Sequence, residues 1–342
     1  MSRLTYARGA IAFGRDHSRL AITLAALCLC CASAAVALGC SAIPAPIADL
    51  TSVEFRLGPD GAVDASLKAS NDAAMEPART YLRLVSSAGD RFLSDGKPAA
   101  ADCALSDLGE WARAKALLGN MSNVQAERER AALVGGLAFA YLKTRIRSSV
   151  ADRNLIDAWL DRLAGEIESG FDNKAVPGGG SVELAGLGAL AVAAATGNRE
   201  HWSFGERTYR HAVAAIDADG VLTTTTAGGE RMLFDQNFAL GELVMMAELA
   251  ARQSDADWYS ANDGALLRLA DRVLDGLRDP DWYADRSGKN QFMPSGRDLA
   301  WIAFYARRFP ARFAGRVPDG AIFQLPRLGG DLTTLAERWV KN

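Results

Sequence analysis

The strongest constraint on the fold is helical periodicity, which runs through the chain from about residue 71 onward. Apolar side chains recur every three or four residues, as in segment 156–163, where Ile156, Trp159 and Leu163 fall on one helix face. The chain is rich in Ala, Leu and Arg and has few runs of Val, Ile or Thr, which favours helix over strand. About nine helices joined by short loops, in antiparallel hairpins, are therefore predicted to form one all-α domain over residues 71–342.

The first 46 residues have the pattern of an export signal. Four arginines precede an apolar run at 20–38, and small residues and prolines follow that run. This order favours a cleaved signal over a membrane anchor, although the run approaches the length that a bilayer requires. We therefore expect an exported, periplasmic protein. Residues 47–70 are predicted to form an irregular arm, with a short strand near 53–57 that ends at the turn 58–61.

Cysteine use is confined almost entirely to the leader, which holds four of the five cysteines. Cys40 follows Ala37-Leu38-Gly39, which is similar to a lipoprotein cleavage box. A lipid anchor at Cys40 is therefore an alternative to a fully soluble mature protein. Cys103 then remains for the mature chain. This distribution predicts no internal disulfide framework and no cysteine-based metal site, and a buried, apolar role for Cys103.

Several classes of function are excluded by composition and motif. A formal net charge of -3 does not imply a nucleic-acid partner, because phosphate binding needs clustered Lys and Arg. The three histidines, His17, His201 and His211, lack metal-ligand spacing, and His201 is expected to face solvent. The glycine run at 178–180 lacks the Lys-Ser/Thr ending of a phosphate loop, and no nucleophile elbow is present. Neither a metal nor a cofactor is predicted.

An ordered set of short motifs resembles the periplasmic mannuronate-type alginate lyases. The most specific are Arg327-Leu328-Gly329-Gly330-Asp331 and Asn237-Phe238-Ala239-Leu240, and the others lie at 103–105, 111–114, 156–163, 217–222 and 263–273. Each motif alone is weak, but their order and spacing agree over roughly residues 71–335. The resemblance implies an incomplete (α/α) toroid with a long groove, in an exported protein.

The same resemblance implies β-elimination at a uronic acid. In that reaction the carboxylate is neutralised, a base removes the C5 proton, and an acid protonates the leaving O4. The family's Asn-Asn-His segment falls on 177–182, which contains neither Asn nor His. Its Tyr-His-Asn-Tyr segment falls on 235–238 and reads Asp-Gln-Asn-Phe. The family's arginine falls near Gly228, with Arg231 close by.

Three hypotheses follow from these residues. The first is an active, divergent lyase in which Asp235 is the base and Arg231 and Asn237 neutralise the substrate. The alternative to a catalytic role is a structural one. Asp235 would then cap its helix or form an ion pair with Arg231, which is four positions away.

The second hypothesis is a non-catalytic carbohydrate-binding or scaffold protein of an exopolysaccharide system. Trp202, Tyr209 and Trp282 would be its sugar platforms, with core packing as their alternative role. Arg327 would bind an anionic sugar or pair with Asp331. The third hypothesis is an exported helical protein unrelated to sugars. The favoured partner is an anionic polysaccharide, and the sequence does not predict an oligomeric state.

Overall fold

The computed structural model describes residues 40–57, 62–172, 181–225, 229–254, 256–314, 316 and 319–339. Ser41–Asn342 forms one compact unit, distinct from Met1–Cys40. The helices are α1 (Ala65–Asp95), α2 (Pro98–Arg113), α3 (Val124–Thr144), α4 (Val150–Asp172), α5 (Ser181–Thr196), α6 (Arg199–Ala214), α7 (Met232–Gln253), α8 (Ala261–Arg278), α9 (Asp281–Ser287), α10 (Ile302–Arg308), α11 (Pro310–Phe313) and α12 (Leu332–Arg338). The strands are β1 (Arg56–Leu57), β2 (Ala62–Val63), β3 (Gln324–Leu325) and β4 (Gly330–Asp331), which form two antiparallel pairs, β1 with β2 and β3 with β4.

The first eight helices form two layers. In the inner layer α1 packs on α3, α3 on α5, and α5 on α7, while in the outer layer α2 packs on α4, α4 on α6, and α6 on α8. Consecutive helices also pack against each other, so each hairpin contributes one helix to each layer. The all-α class predicted from periodicity is confirmed.

Helix α5 is central to the inner layer because its surface is made of small residues. Its neighbours are α3, α4, α6 and α7. A methyl group at Gly186 would lie 2.5 Å from the side chain of Thr208 on α6, and one at Gly188 would lie 3.3 Å from the Ala131 carbonyl on α3. Alanine and glycine therefore let the helix backbones approach closely, as the sequence indicated.

Helix α1 begins earlier than its apolar pattern suggested. It starts at Ala65, where the Asp64 carboxylate accepts a hydrogen bond from the Leu67 amide, rather than near Asn71. Asn71 is buried instead, and its side-chain oxygen accepts from the Val53 amide of the arm. The end of the predicted arm therefore belongs to the helix, because Asp64 is the better-placed cap.

The cysteine prediction was wrong, since Cys40 and Cys103 are both disulfide-bonded. Within the described residues, no helix combines the length and apolar character needed to span a membrane.

The segment 322–331, which we name the C-terminal strap, crosses the inner layer. It contains β3, a 3-10 turn at Pro326–Leu328 and β4, and it packs on α1 and α3. The buried Lys143 ammonium on α3 donates to the Gly329 carbonyl of the strap and to the Asp90 carboxylate on α1. Asp90 also accepts from the Asp331 amide at 3.0 Å. One buried ion pair thus holds the strap against two inner helices.

Close contact between α3 and the strap requires glycine at position 136. A methyl group there would lie 2.7 Å from the Pro326 carbonyl and 2.8 Å from a Leu82 methyl group. We expect Gly136→Ala to lower the free energy of unfolding by roughly 1–3 kcal/mol, because the backbone of the strap must shift.

Gly165 on α4 provides the matched control, since a methyl group there meets nothing within 4 Å. Gly165→Ala is expected to raise the free energy of unfolding by about 0.4–1 kcal/mol. Urea unfolding of both variants measures the difference. Equal stability of the two variants would contradict the packing argument.

Candidate functional site

A cleft of about 660 Å³ opens between the inner layer and the strap. Its walls come from one side of α1, from residues near the N-termini of α3, α5 and α7, from the strap and from the 3-10 turn at Gly296–Leu299. Helix N-termini carry partial positive charge, so their convergence on one cleft favours an anionic ligand.

Arginine dominates the charge of this cleft. The described lining includes Arg79, Arg83, Arg128, Arg297 and Arg327, and its one carboxylate is Glu129. Glu129 accepts two hydrogen bonds from Arg79, so its charge is already matched. The cleft therefore has a surplus of positive charge, although the whole chain is slightly acidic.

Arg128 is held at the deep end of the cleft. It lies one turn into α3 and donates to the Ser181 hydroxyl at the start of α5, at 2.8 Å. Burial lowers the pKa of the Arg128 guanidinium, and the nearby Glu54 and Asp235 carboxylates oppose that shift. The side chain is thus held by Ser181, and the Glu54 and Asp235 carboxylates support its cationic form.

Arg327 extends from the strap into the cleft. It pairs with Glu242, a fully buried carboxylate on α7, and its guanidinium lies 4.4 Å from the ring centroid of Phe238. Burial lowers the pKa of Arg327 to about 10, so the group stays cationic at neutral pH. The sequence alternative, a pair with Asp331, is not formed, because the Asp331 carboxylate caps α12 instead.

Arg297 differs from the other lining arginines. Arg79 pairs with Asp72 and Glu129, and Arg83 pairs with Glu76. Within the described part of the chain, the Arg297 guanidinium has no carboxylate or carbonyl partner. It is therefore the lining cation whose charge is most available to a ligand carboxylate.

The three predicted catalytic residues are buried and are not among the described lining residues of the cleft. Arg231 and Asp235 form the ion pair that their spacing allowed, at 3.4 Å, and both are buried. Arg231 also stacks on Phe234, 4.3 Å from the ring centroid. Asn237 donates to the Asp298 carbonyl and accepts from the Trp301 indole, each at 2.9 Å. These bonds give Asn237 a structural role, which corrects its assignment as a group that contacts substrate.

The predicted sugar platforms do not line the cleft. Tyr209 is buried and donates from its hydroxyl to the Trp258 carbonyl at 2.6 Å, so it has no face open to a sugar. Trp202 packs edge-on against Trp258. The ring of Trp282 lies 4.1 Å from the Arg272 guanidinium and 5.2 Å from that of Arg286. The packing role, which was the alternative for all three, is the one observed.

His201 is also placed differently from the expectation of a solvent-facing side chain. It is buried, and its Nδ1 lies 2.7 Å from the Glu168 carboxylate on α4. Burial lowers the pKa of His201, but the bond to Glu168 and the charge of Asp161 outweigh it, so the pKa is raised overall. The imidazole therefore ties α6 to α4 and lies outside the described cleft lining.

Sequence reasoning missed most of the cleft arginines. Arg79 and Arg83 are four residues apart, which places them on the same face of a helix. This spacing could have indicated a shared cationic surface. Arg128 and Arg297 gave no comparable signal, because each is one charge among many on a helix or turn. Only the packing of α3, α5 and the strap shows that these arginines line a cleft and are not ordinary surface arginines.

Elimination chemistry needs a base and an acid in addition to the arginines. The described lining contains neither histidine nor tyrosine. The predicted positions at 177–180 and Gly228 lie outside the described residues. No cluster of His, Cys, Asp and Glu suited to a metal ion occurs in the part of the chain that the structure describes. The carboxylate in the described lining is Glu129, and the Asp235 carboxylate, which is outside that lining, interacts electrostatically with Arg128.

The chain is similar in sequence to known alginate lyases and polysaccharide lyases. The Alginate lyase family model matches residues 133–283. A polysaccharide lyase of Stenotrophomonas maltophilia is 36% identical over 93% of this chain and 96% of its own length. An alginate lyase of Cobetia marina is 29% identical over 86% of this chain and 83% of its own.

Among solved structures, a Tyr-to-Phe variant of alginate lyase A1-III in complex with a tetrasaccharide superimposes with a TM-score of 0.77, at 24% identity. The match covers 87% of this chain and 86% of that one. This similarity confirms the incomplete (α/α) toroid predicted for the fold.

Proposed function

Because the chain belongs to the alginate lyase family, we propose that it binds a uronate-containing polysaccharide such as alginate in the arginine cleft and acts on it as a polysaccharide lyase. The observation that carries the proposal is the cleft itself, whose described lining includes five arginines, of which Arg297 forms no ion pair within the described residues. A uronate polymer has one carboxylate on each sugar, which matches a row of cations. Guanidinium groups bind carboxylates with paired, charge-assisted hydrogen bonds.

The proposed roles follow from position and charge. Arg297 and Arg128 bind and neutralise the carboxylate of the reacting uronate, which makes its C5 proton more acidic. Asp235 is the proposed base, and this role requires its ion pair with Arg231 to open toward the cleft, because its carboxylate is buried and is not among the described lining residues. Arg327 binds the neighbouring sugar on the strap side.

The first experiment follows the ultraviolet absorbance of the unsaturated uronate product. The purified chain from Cys40 onward is mixed with alginate, polymannuronate, polyguluronate, glucuronan or hyaluronan. Asp235→Asn is expected to lower kcat by about 100-fold or more, as loss of a general base does. An unchanged rate in Asp235→Asn would remove Asp235 from the mechanism while leaving the lyase proposal intact.

Arg297→Ala is expected to weaken binding rather than to unfold the protein. Loss of a charge-assisted hydrogen bond to a ligand costs about 1.5–3 kcal/mol, which corresponds to roughly 10- to 100-fold in KM or Kd. The matched control is Arg210→Ala, because Arg210 is exposed on α6 and pairs with Glu206 outside the cleft. Equal effects of the two variants would contradict the assignment of the cleft as the substrate site.

A second candidate is a non-catalytic polysaccharide-binding protein. The observation that favours it is the described cleft lining, which has no imidazole or phenol to transfer a proton. This function would be established by two results together. Alginate binds in calorimetry and Arg297→Ala loses that binding, while no polymer gives the ultraviolet absorbance of an unsaturated product.

We propose the periplasm as the place of action. The leader-like pattern of the first 46 residues supports export, with cleavage before Cys40 so that the mature chain keeps its disulfide. The disulfide-bonded Cys40 and Cys103 support an oxidising compartment, because cytosolic thiols are kept reduced. Mass spectrometry of the protein from a periplasmic extract tests both points, and a mature chain with free thiols would contradict them.

A further inference from the structure

The arginine cleft does not end at Arg83. A second compartment of about 410 Å³ lies beside it and shares two lining residues with it, Ser87 and Gln324. Its other walls include Arg91 and Ser94 of α1 and Phe323 of the strap. The two spaces therefore form one groove that follows α1.

Spacing along α1 places its cations in a row. Arg79, Arg83, Ser87 and Arg91 are each four residues apart, so they lie along one face of the helix. The rise from Arg83 to Arg91 is roughly 12 Å at 1.5 Å per residue, which is longer than a single sugar ring.

Arg91 is available for a ligand. Its side chain is exposed, and among the described residues its guanidinium has no hydrogen-bonding or ionic partner. The two carboxylates of the compartment are already bound. Asp90 pairs with Lys143, and Asp331 accepts from the Thr333 and Thr334 amides of α12. Arg91 is therefore the cation of this compartment that has no hydrogen-bonding partner among the described residues, while the Asp331 carboxylate is held by neutral donors and keeps its negative charge.

We propose that this second compartment is a distal subsite, in which Arg91 binds the carboxylate of a further uronate residue while Phe323 contacts the sugar ring. The inference rests on the proposed function and deepens it, because it assigns to the protein long uronate chains rather than short oligomers. Short oligomers fill the central cleft, and only longer ones reach Arg91.

The test measures affinity as a function of oligomer length. Mannuronate dimer, tetramer and octamer are titrated into the wild type, Arg91→Ala, Arg91→Lys and the control Arg210→Ala. We expect Arg91→Ala to weaken octamer binding roughly fivefold, as for a partly exposed ion pair, and to leave the dimer unchanged. Arg91→Lys, which keeps the charge, is expected to retain most of the octamer affinity.

The outcomes separate this inference from the proposed function. Equal affinity of wild type and Arg91→Ala for the octamer, or an equal loss for dimer and octamer, would overturn the distal subsite and leave the central cleft in place. Absence of binding by any oligomer to the wild type would overturn the proposed function and the subsite together.

Discussion

Arg327→Ala is expected to lower the free energy of unfolding by about 3–5 kcal/mol, which is the typical cost of leaving one partner of a buried ion pair unmatched. Glu242 is fully buried on α7, and Arg327 is its cationic partner. The substitution also removes the guanidinium over Phe238 and one cation from the cleft. Both unfolding in urea and affinity for alginate should therefore decrease.

The double variant Arg327→Ala/Glu242→Gln separates these two effects. A neutral amide removes the uncompensated charge, so most of the lost stability should return. Affinity for the polysaccharide should not return, because the cation is still missing. Recovery of both properties would show that Arg327 acts only through folding, and would contradict its place in the substrate site.

Lys143→Met is expected to lower the free energy of unfolding by about 3 kcal/mol. This is the lower end of the range for breaking a buried ion pair, because Asp90 keeps some access to solvent. Lys143 is almost fully buried and holds both Asp90 and the Gly329 carbonyl. Its loss frees the strap that carries Arg327, so affinity for alginate should decrease as well.

Here the double variant Lys143→Met/Asp90→Asn is expected to recover both stability and affinity. An asparagine at position 90 is neutral, and its side-chain oxygen can still accept from the Asp331 amide. Arg327 is intact, so a restored strap restores the cleft. Urea unfolding and calorimetry measure the two properties, and a double variant that folds but does not bind would contradict the positioning role of the ion pair.

Local sequence was sufficient for the helical class and for most helix positions. The face of Ile156, Trp159 and Leu163 is buried as its spacing required, and the small residues of α5 allow the close packing they indicated. Such features depend on side chains within one or two turns of each other, which a single segment displays. The start of α1 was missed because its first turns, with Asp64 as cap, lack a clear apolar face.

The site depended on contacts that no segment contains. Arg128 meets Ser181 across 53 positions, and Arg327 meets Glu242 across 85. The sequence predicted the ion pair of Arg231 and Asp235, because the two residues are one helical turn apart. It did not predict that the pair lies outside the described cleft lining.

The sequence by itself determined the helices, the ordered motifs and hence the family-like toroid. The tertiary structure alone decided which arginines face a common cleft, which are neutralised by carboxylates and which, like Arg297 and Arg91, remain available. The physical reason is that periodicity reports burial along one helix, whereas the free charge of an arginine depends on partners that only packing brings near.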